Sequence, residues 1–206
     1  MALDLSGAWE LDKERSQSMY PHMKLLGCDE IAALASEKLN LTLHVVQSKK
    51  QISTWQQSQL GIVYRGLLIG QDTTEHSSMG ERKVFVTAGP KEMTVDSKFR
   101  TGRLLDTRSI EVDQETGEPV LVTVLQLTMR GQGGSAKTTR YFKRIGDPDP
   151  EVIHAPFETI STSAGVPPEE AILAAQSAKA KAAASANANP KPADAGPPGA
   201  APATQS

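Results

Sequence analysis

From Leu41 onward, apolar and polar side chains alternate in short runs divided by turn residues. In LTLHVVQS (41–48), Leu41, Leu43 and Val45 fall on one side and Thr42, His44 and Val46 on the other. That two-residue period marks a half-buried strand. Strand signals recur at spacings near 10 residues in QISTWQQS, GIVYRGLLIG, KVFVTAG, KEMTVDSKF, RLLDTRSIEV, VLVTVLQLTM and KTTRYFKRI. Between them stand turn sequences such as Gly70-Gln71-Asp72, Gly89-Pro90, Thr101-Gly102 and Glu115-Thr116-Gly117-Glu118. Many short strands joined by tight turns predict an antiparallel barrel or sandwich and exclude a parallel α/β sheet.

One helical insert interrupts the pattern. SQSMYPHMKLLGCDEIAALASEKL, between Arg15 and Asn40, breaks at Gly27 into two short helices. The first runs from about Pro21 to Leu26, because proline is tolerated only near a helix start. Cys28-Asp29-Glu30 opens the second, whose Ile31, Leu34, Ala35 and Lys38 share a modest apolar face. Two helices this short, set directly after a first strand, predict a cap on the barrel.

The end of the chain differs in kind. All nine aromatic residues lie at or before Phe157, and positions 167–206 hold 15 Ala and 7 Pro. Such a segment cannot bury enough apolar area to offset the entropy of ordering it. The expected division is a barrel over 1–146 and an Ala/Pro-rich tail over 147–206, with a short helix near 168–185. VIHAPFETI (152–160), the most apolar piece after the barrel, is expected to dock on the barrel wall. Charge divides in the same way: residues 1–145 hold 19 basic and 17 acidic side chains, and residues 146–206 hold 3 and 7.

Composition removes several function classes. A net charge of -2 gives no general attraction to nucleic acid. One cysteine, Cys28, excludes an intrachain disulfide and any paired-cysteine metal site, and a packed thiol is its expected state. The four histidines, His22, His44, His76 and His154, lack ligand spacing, so no metal and no cofactor are expected. No run of about 18 apolar residues is present, and MALDLSGAWELDKERS is too polar for a secretory signal. The expectation is a soluble cytoplasmic protein. There is no G-x-S-x-G, H-E-x-x-H or Walker A sequence, and RGQGGSAK reads as a hairpin loop, so the chain is expected not to be an enzyme.

Several motifs together resemble the cytosolic fatty-acid-binding proteins of the calycin superfamily, which includes the lipocalins. They are Gly7-Ala8-Trp9 in the first strand, the run Met23-Lys24-Leu25-Leu26-Gly27, the stretch Gly70-Gln71-Asp72-Thr73-Thr74-Glu75, Arg82-Lys83-Val84, and Thr139-Arg140-Tyr141-Phe142. The resemblance spans about residues 3–145. It implies a ten-stranded antiparallel up-and-down β-barrel with a two-helix lid, to which composition adds a mostly disordered tail. It also implies a small hydrophobic ligand, a fatty acid or similar lipid, carried inside the barrel by a monomer. Transient membrane contact through the lid is implied as well.

A buried carboxylate head needs a fixed cation, and an inward arginine supplies bidentate donors. Arg140 shares its strand face with Phe142, opposite Tyr141 and Lys143; Arg108 shares its face with Leu104, Ile110 and Val112. The resemblance assigns ligand contact to Arg140 and Arg108, with Phe142 standing where the family carries tyrosine, and to Met23 of the lid. Trp55 and Tyr64 either line the cavity or fill it, whereas Trp9 reads as a core plug. The alternative function is a structural or interaction protein with a filled barrel, whose acidic tail recruits partners. On that reading, removal of 147–206 leaves barrel stability nearly unchanged.

Overall fold

The computed structural model describes residues 2–77, 80–131, 133–156 and 160–162. Its strands are β1 (Gly7–Asp12), β2 (Thr42–Gln47), β3 (Gln51–Ser58), β4 (Gly61–Leu68) and β5 (Asp72–Ser77). They continue as β6 (Gly80–Ala88), β7 (Glu92–Phe99), β8 (Gly102–Val112), β9 (Pro119–Met129) and β10 (Ser135–Gly146). From β1 to β4 and from β5 to β10 each strand pairs antiparallel with the next, and β1 also pairs with β10. The single break lies between β4 and β5, the two edges where the ten-stranded barrel stays unzipped.

The closed end is packed by inward residues of the alternating pattern. Trp9, 1% exposed, sits among Leu43, Val45, Ile52, Val86 and Leu121, and its Nε1 donates to the Leu5 carbonyl at 3.0 Å. Glycine is required beside it: Gly7 has φ +148°, and a Cβ there would meet Trp9 Nε1 and Arg144 Nε at 3.2 Å.

The insert forms α1 (Tyr20–Leu25) and α2 (Glu30–Lys38), separated at Gly27, whose φ is +82°. Asp29 caps α2 by accepting from the Ala32 N–H at 2.7 Å. The helical face differs from the expected one. Ala33 is the buried residue of α2, while Ile31 and Leu34 are exposed. The helix is short and packs mainly against α1, and its bulkier side chains project outward. Glu37 ties the lid together, its Oε1 accepting from the backbone N–H of Met19 at 2.8 Å and Tyr20 at 3.1 Å.

Beyond Gly146 the chain does not leave the barrel at once. A one-turn helix, α3 (Pro150–Ile153), buries Val152 against Trp55 and Tyr64 on β3 and β4. The backbone N–H of Asp149 donates to His44 Nδ1 at 3.1 Å, while His44 Nε2 contacts Gln57 Oε1 at 3.1 Å. A short strand, β11 (Ile160–Thr162), then runs parallel to β4, pairing Ile160 with Ile62 and Thr162 with Tyr64. The sheet therefore has an eleventh strand at the unzipped seam, which the alternating pattern did not predict. The helix expected near 168–185 lies outside the described residues.

Candidate ligand-binding site

A cavity of about 280 Å³ occupies the barrel between the lid and the closed end. Its apolar surface comes from Leu41, Leu43, Val63, Leu104, Leu125 and Phe142. Its polar surface comes from Thr54, Gln56 and Thr123 and from four arginines, Arg65, Arg82, Arg108 and Arg140, with Asp106. A larger groove of about 630 Å³ lies outside, by the β8–β9 turn. Its carboxylates include Asp12 and Asp113, already engaged by Lys143 and Arg15, and its aliphatic lining is Val112 and Val120, with Val112 exposed.

Strand alternation sets which side chains reach the lumen. On β10, Arg140 and Phe142 face inward, with the Arg140 Cζ 5.5 Å from the Phe142 ring centroid. Tyr141 and Lys143 face outward, under Arg15 and against Asp12 respectively. On β9 the inward position facing Arg140 is Thr123, and Thr123 also pairs with Arg108 on β8. Arg108, Thr123 and Arg140 therefore form one row across three adjacent strands.

The members of that row differ in their partners. Arg108 is held by Asp106 on its own strand face, Nη2 to Oδ2 at 2.7 Å, in a pair that is largely buried. Burial works against the Arg108 charge, but the adjacent carboxylate more than offsets it and raises the pKa above the ordinary arginine value. Arg140 has no salt-bridge partner among the described residues, and its buried Nε makes no hydrogen bond. Burial pushes its pKa down, and only the field of Glu37 on α2 opposes that direction. The Thr123 hydroxyl is likewise buried without a hydrogen bond. An unpaired guanidinium and an unsatisfied hydroxyl thus sit side by side on the cavity wall, where each would carry a desolvation cost in an empty site.

A second charged cluster spans the β4–β5 seam. Glu75, fully buried on β5, accepts from Arg65 Nε at 2.7 Å and Nη2 at 3.1 Å, and also from Arg82 Nε. Arg65 Nη2 further reaches Ser97 Oγ at 3.4 Å. Arg82 lies below the ordinary arginine value, first through burial and then through Arg65, with Glu75 opposing both. Strand periodicity alone does not bring Arg65 and Glu75 together, because β4 and β5 are not hydrogen-bonded to one another.

The structure divides the six residues assigned to ligand contact from sequence. Arg140, Arg108 and Phe142 line the cavity, although Arg108 is already paired. Trp55 and Tyr64 do not line it; they point from the opposite face of β3 and β4 into the layer beneath α3, ring centroids 5.0 Å apart. The inward positions on those strands belong to Thr54, Gln56, Val63 and Arg65. Met23 is half-buried on α1 and is not among the lining residues. Thr54, Gln56, Thr123, Asp106, Arg65 and Arg82 are the lining polar residues that sequence reading missed. A signal existed for two of them: Asp106 is two residues from Arg108, and Thr123 breaks an inward row of Leu121, Leu125 and Leu127.

Among the described residues, no group of three or more His, Cys, Asp or Glu could hold a metal ion, and no helix is long and apolar enough to cross a membrane. Cys28 is half-buried.

No protein-family model and no curated protein matches the sequence. Solved structures do match in shape. The REP1-NXSQ fatty acid transporter superposes with a TM-score of 0.54 at 19% identity, covering 69% of this chain and 96% of that one. Human cRBP IV gives 0.54 at 20% identity, covering 69% and 98%. A Schistosoma mansoni fatty acid binding protein in complex with arachidonic acid gives 0.52 at 16% identity, covering 68% and 96%. Likeness at this identity carries architecture: the chain has the ten-stranded, helix-capped barrel fold of the fatty-acid-binding proteins, extended by the segment that follows Gly146.

Proposed function

We propose that this protein is a non-enzymatic carrier of one amphipathic carboxylate, a fatty acid or similar lipid, held inside the barrel. The observation that carries the reading is Arg140, a cation with an enclosed, unbonded Nε on the wall of a partly apolar cavity. A ligand carboxylate would supply the counter-charge, and the Thr123 hydroxyl would donate beside it. Phe142 leaves no phenolic donor at this end, so Thr123 takes that duty. Leu41, Leu43, Leu104 and Leu125 then hold the chain of the ligand, each buried methylene contributing about 0.8 kcal/mol. The names of the structural neighbours, which include a fatty acid transporter and a complex with arachidonic acid, support the same class of ligand.

The open cavity and its uncompensated cations favour carriage over a filled, purely structural barrel. The exposed Ile31 and Leu34 on α2 give the lid an apolar patch suited to transient membrane contact during loading. The setting we propose is cytoplasmic and the active species a monomer. Calorimetric titration with a medium-chain fatty acid tests the reading. Arg140→Met is expected to weaken binding by about 2 kcal/mol, roughly thirtyfold, as for a lost charge-assisted hydrogen bond. No heat and no displacement of a fluorescent fatty acid at micromolar protein would overturn it.

A further inference from the structure

The cavity holds more positive charge than one carboxylate can answer. Four guanidinium groups line it, against the carboxylates of Asp106 and Glu75. Asp106 is matched one to one by Arg108, and Glu75 is shared by Arg65 and Arg82. One surplus cation therefore remains at Arg140 and another over the Arg65–Arg82 pair.

The topology puts these two surpluses on opposite walls. In the sheet order β4-β3-β2-β1-β10-β9-β8-β7-β6, the strand of Arg140 is four places from that of Arg65 and four from that of Arg82. In a barrel of ten strands those positions face each other across the lumen. The walls between them carry Leu41, Leu43, Leu104 and Leu125 together with Thr54, Gln56, Thr123 and the neutral Arg108–Asp106 pair, so the two surplus cations are separated by a partly apolar belt of no net charge.

Stapling the β4–β5 seam explains one of the second pair but not both. Arg65 alone, with both Nε and Nη2 on Glu75, would neutralise that carboxylate and bridge the two strands. Arg82 adds a second positive charge in a desolvated place, where like charges repel. It spends only its Nε on Glu75, and no other hydrogen bond of its guanidinium occurs among the described residues. Two separated cations facing each other also disfavour a single compact dianion such as a phosphate head, which could meet only one of them.

We infer that the preferred ligand is two-headed: an α,ω-dicarboxylate whose first acid group meets Arg140 and Thr123, and whose second meets Arg82 and Arg65 across the apolar belt. This rests on the carrier reading and deepens it. The cavity volume suits a short ligand: 280 Å³ is about nine water volumes at ~30 Å³ each, and a methylene fills about as much space as a water. Chains of about eight to ten carbons are therefore the lengths to test.

The test compares octanoate and decanoate with octanedioate and decanedioate by calorimetry on the full chain, at low and at physiological salt. An ordinary apolar pocket rejects a second carboxylate, so the diacid would bind far more weakly there. Here the diacid of at least one length is expected to bind about tenfold more tightly than its monoacid. Arg82→Met, which leaves Arg65 and Glu75 as a balanced pair on the seam, is expected to bring that ratio to about one. A wild-type ratio at or below one, with the monoacid binding, overturns the inference and leaves the carrier reading standing. A ratio that survives Arg82→Met overturns the assignment of the second head to this cluster. Failure of all four acids to bind overturns both readings. The wild-type ratio needs no variant, so a poorly folding Arg82→Met does not remove the test.

Discussion

The two faces of β3 and β4 exchange the roles that barrel faces usually play. Their outer face is dry: Gln51, Ser53, Trp55 and Tyr64 are at most 8% exposed, and the last three are fully buried. Their inner face carries Thr54, Gln56 and Arg65 into the cavity. The segment after Gly146 causes the reversal. By laying Val152 on Trp55 and Tyr64, it turns the outside of the wall into a second small core. Gln51 Nε2 donates there to Ser53 Oγ at 2.9 Å and Ser53 Oγ lies 3.2 Å from Tyr64 Oη, while Trp55 Nε1 is buried without a hydrogen bond. At Trp55 and Tyr64, aromatic character therefore marks a buried place that is not the ligand's.

The comparison breaks most directly at Trp55. Trp55→Ala is expected to cost about 4 kcal/mol of stability, as for other buried large-to-small changes, while ligand affinity stays within about twofold. Urea unfolding beside calorimetric titration checks both halves. Lost affinity with intact stability would return Trp55 to the cavity. Ending the chain at Gly146 is expected to cost about 3 kcal/mol, because it re-exposes Trp55 and Tyr64 and removes the Val152 contact. A red shift of the Trp55 emission should accompany it. This outcome is the opposite of the one expected on the interaction-protein alternative, on which removal of 147–206 leaves barrel stability nearly unchanged.

The inner face can be sharpened at Phe142, which packs against Arg140. Phe142→Tyr would add a phenolic donor near the proposed carboxylate, and carboxylate affinity is expected to rise by about 1 kcal/mol, roughly fivefold. Titration of a neutral alcohol of the same chain length should show no such gain.

The smallest effect concerns His22, buried on α1 with Nδ1 3.0 Å from Thr138 Oγ1. Burial holds its pKa below the ordinary 6.5, with the Leu125 backbone partly opposing. The unfolded chain then binds more protons than the folded one, so stability falls as pH drops below about 6.5 towards the depressed native value. Unfolding midpoints measured between about pH 7.5 and 5 should decline, and His22→Gln should flatten that decline. An identical slope in the variant would assign the pH dependence elsewhere.

How much of this was legible beforehand depends on the range of the interaction. The faces of Arg140 and Phe142 follow from alternation within one strand, and the lid break at Gly27 from local backbone chemistry. Asp106 was legible too, since it lies on the same face as Arg108 by the same rule. Trp55 and Tyr64 were not, because a two-residue period separates two faces without saying which one another segment will cover. The Arg65–Glu75–Arg82 cluster was hidden for a further reason: its members meet across strands that share no hydrogen bonds, at a seam that exists only once the barrel has curled round.

The amino-acid sequence by itself determined most of the strands and their turns, though neither β5 nor β11, together with the two-helix insert and the inward set on β10. These depend on periodicity, turn residues and caps, which act over a few neighbouring positions. Only the tertiary structure decided that the outer wall of β3–β4 is dry, that Arg108 is already neutralised while Arg140 is not, and that two surplus cations face each other across one lumen. Those outcomes depend on which faces are covered and which charges meet, and closure of the sheet settles both.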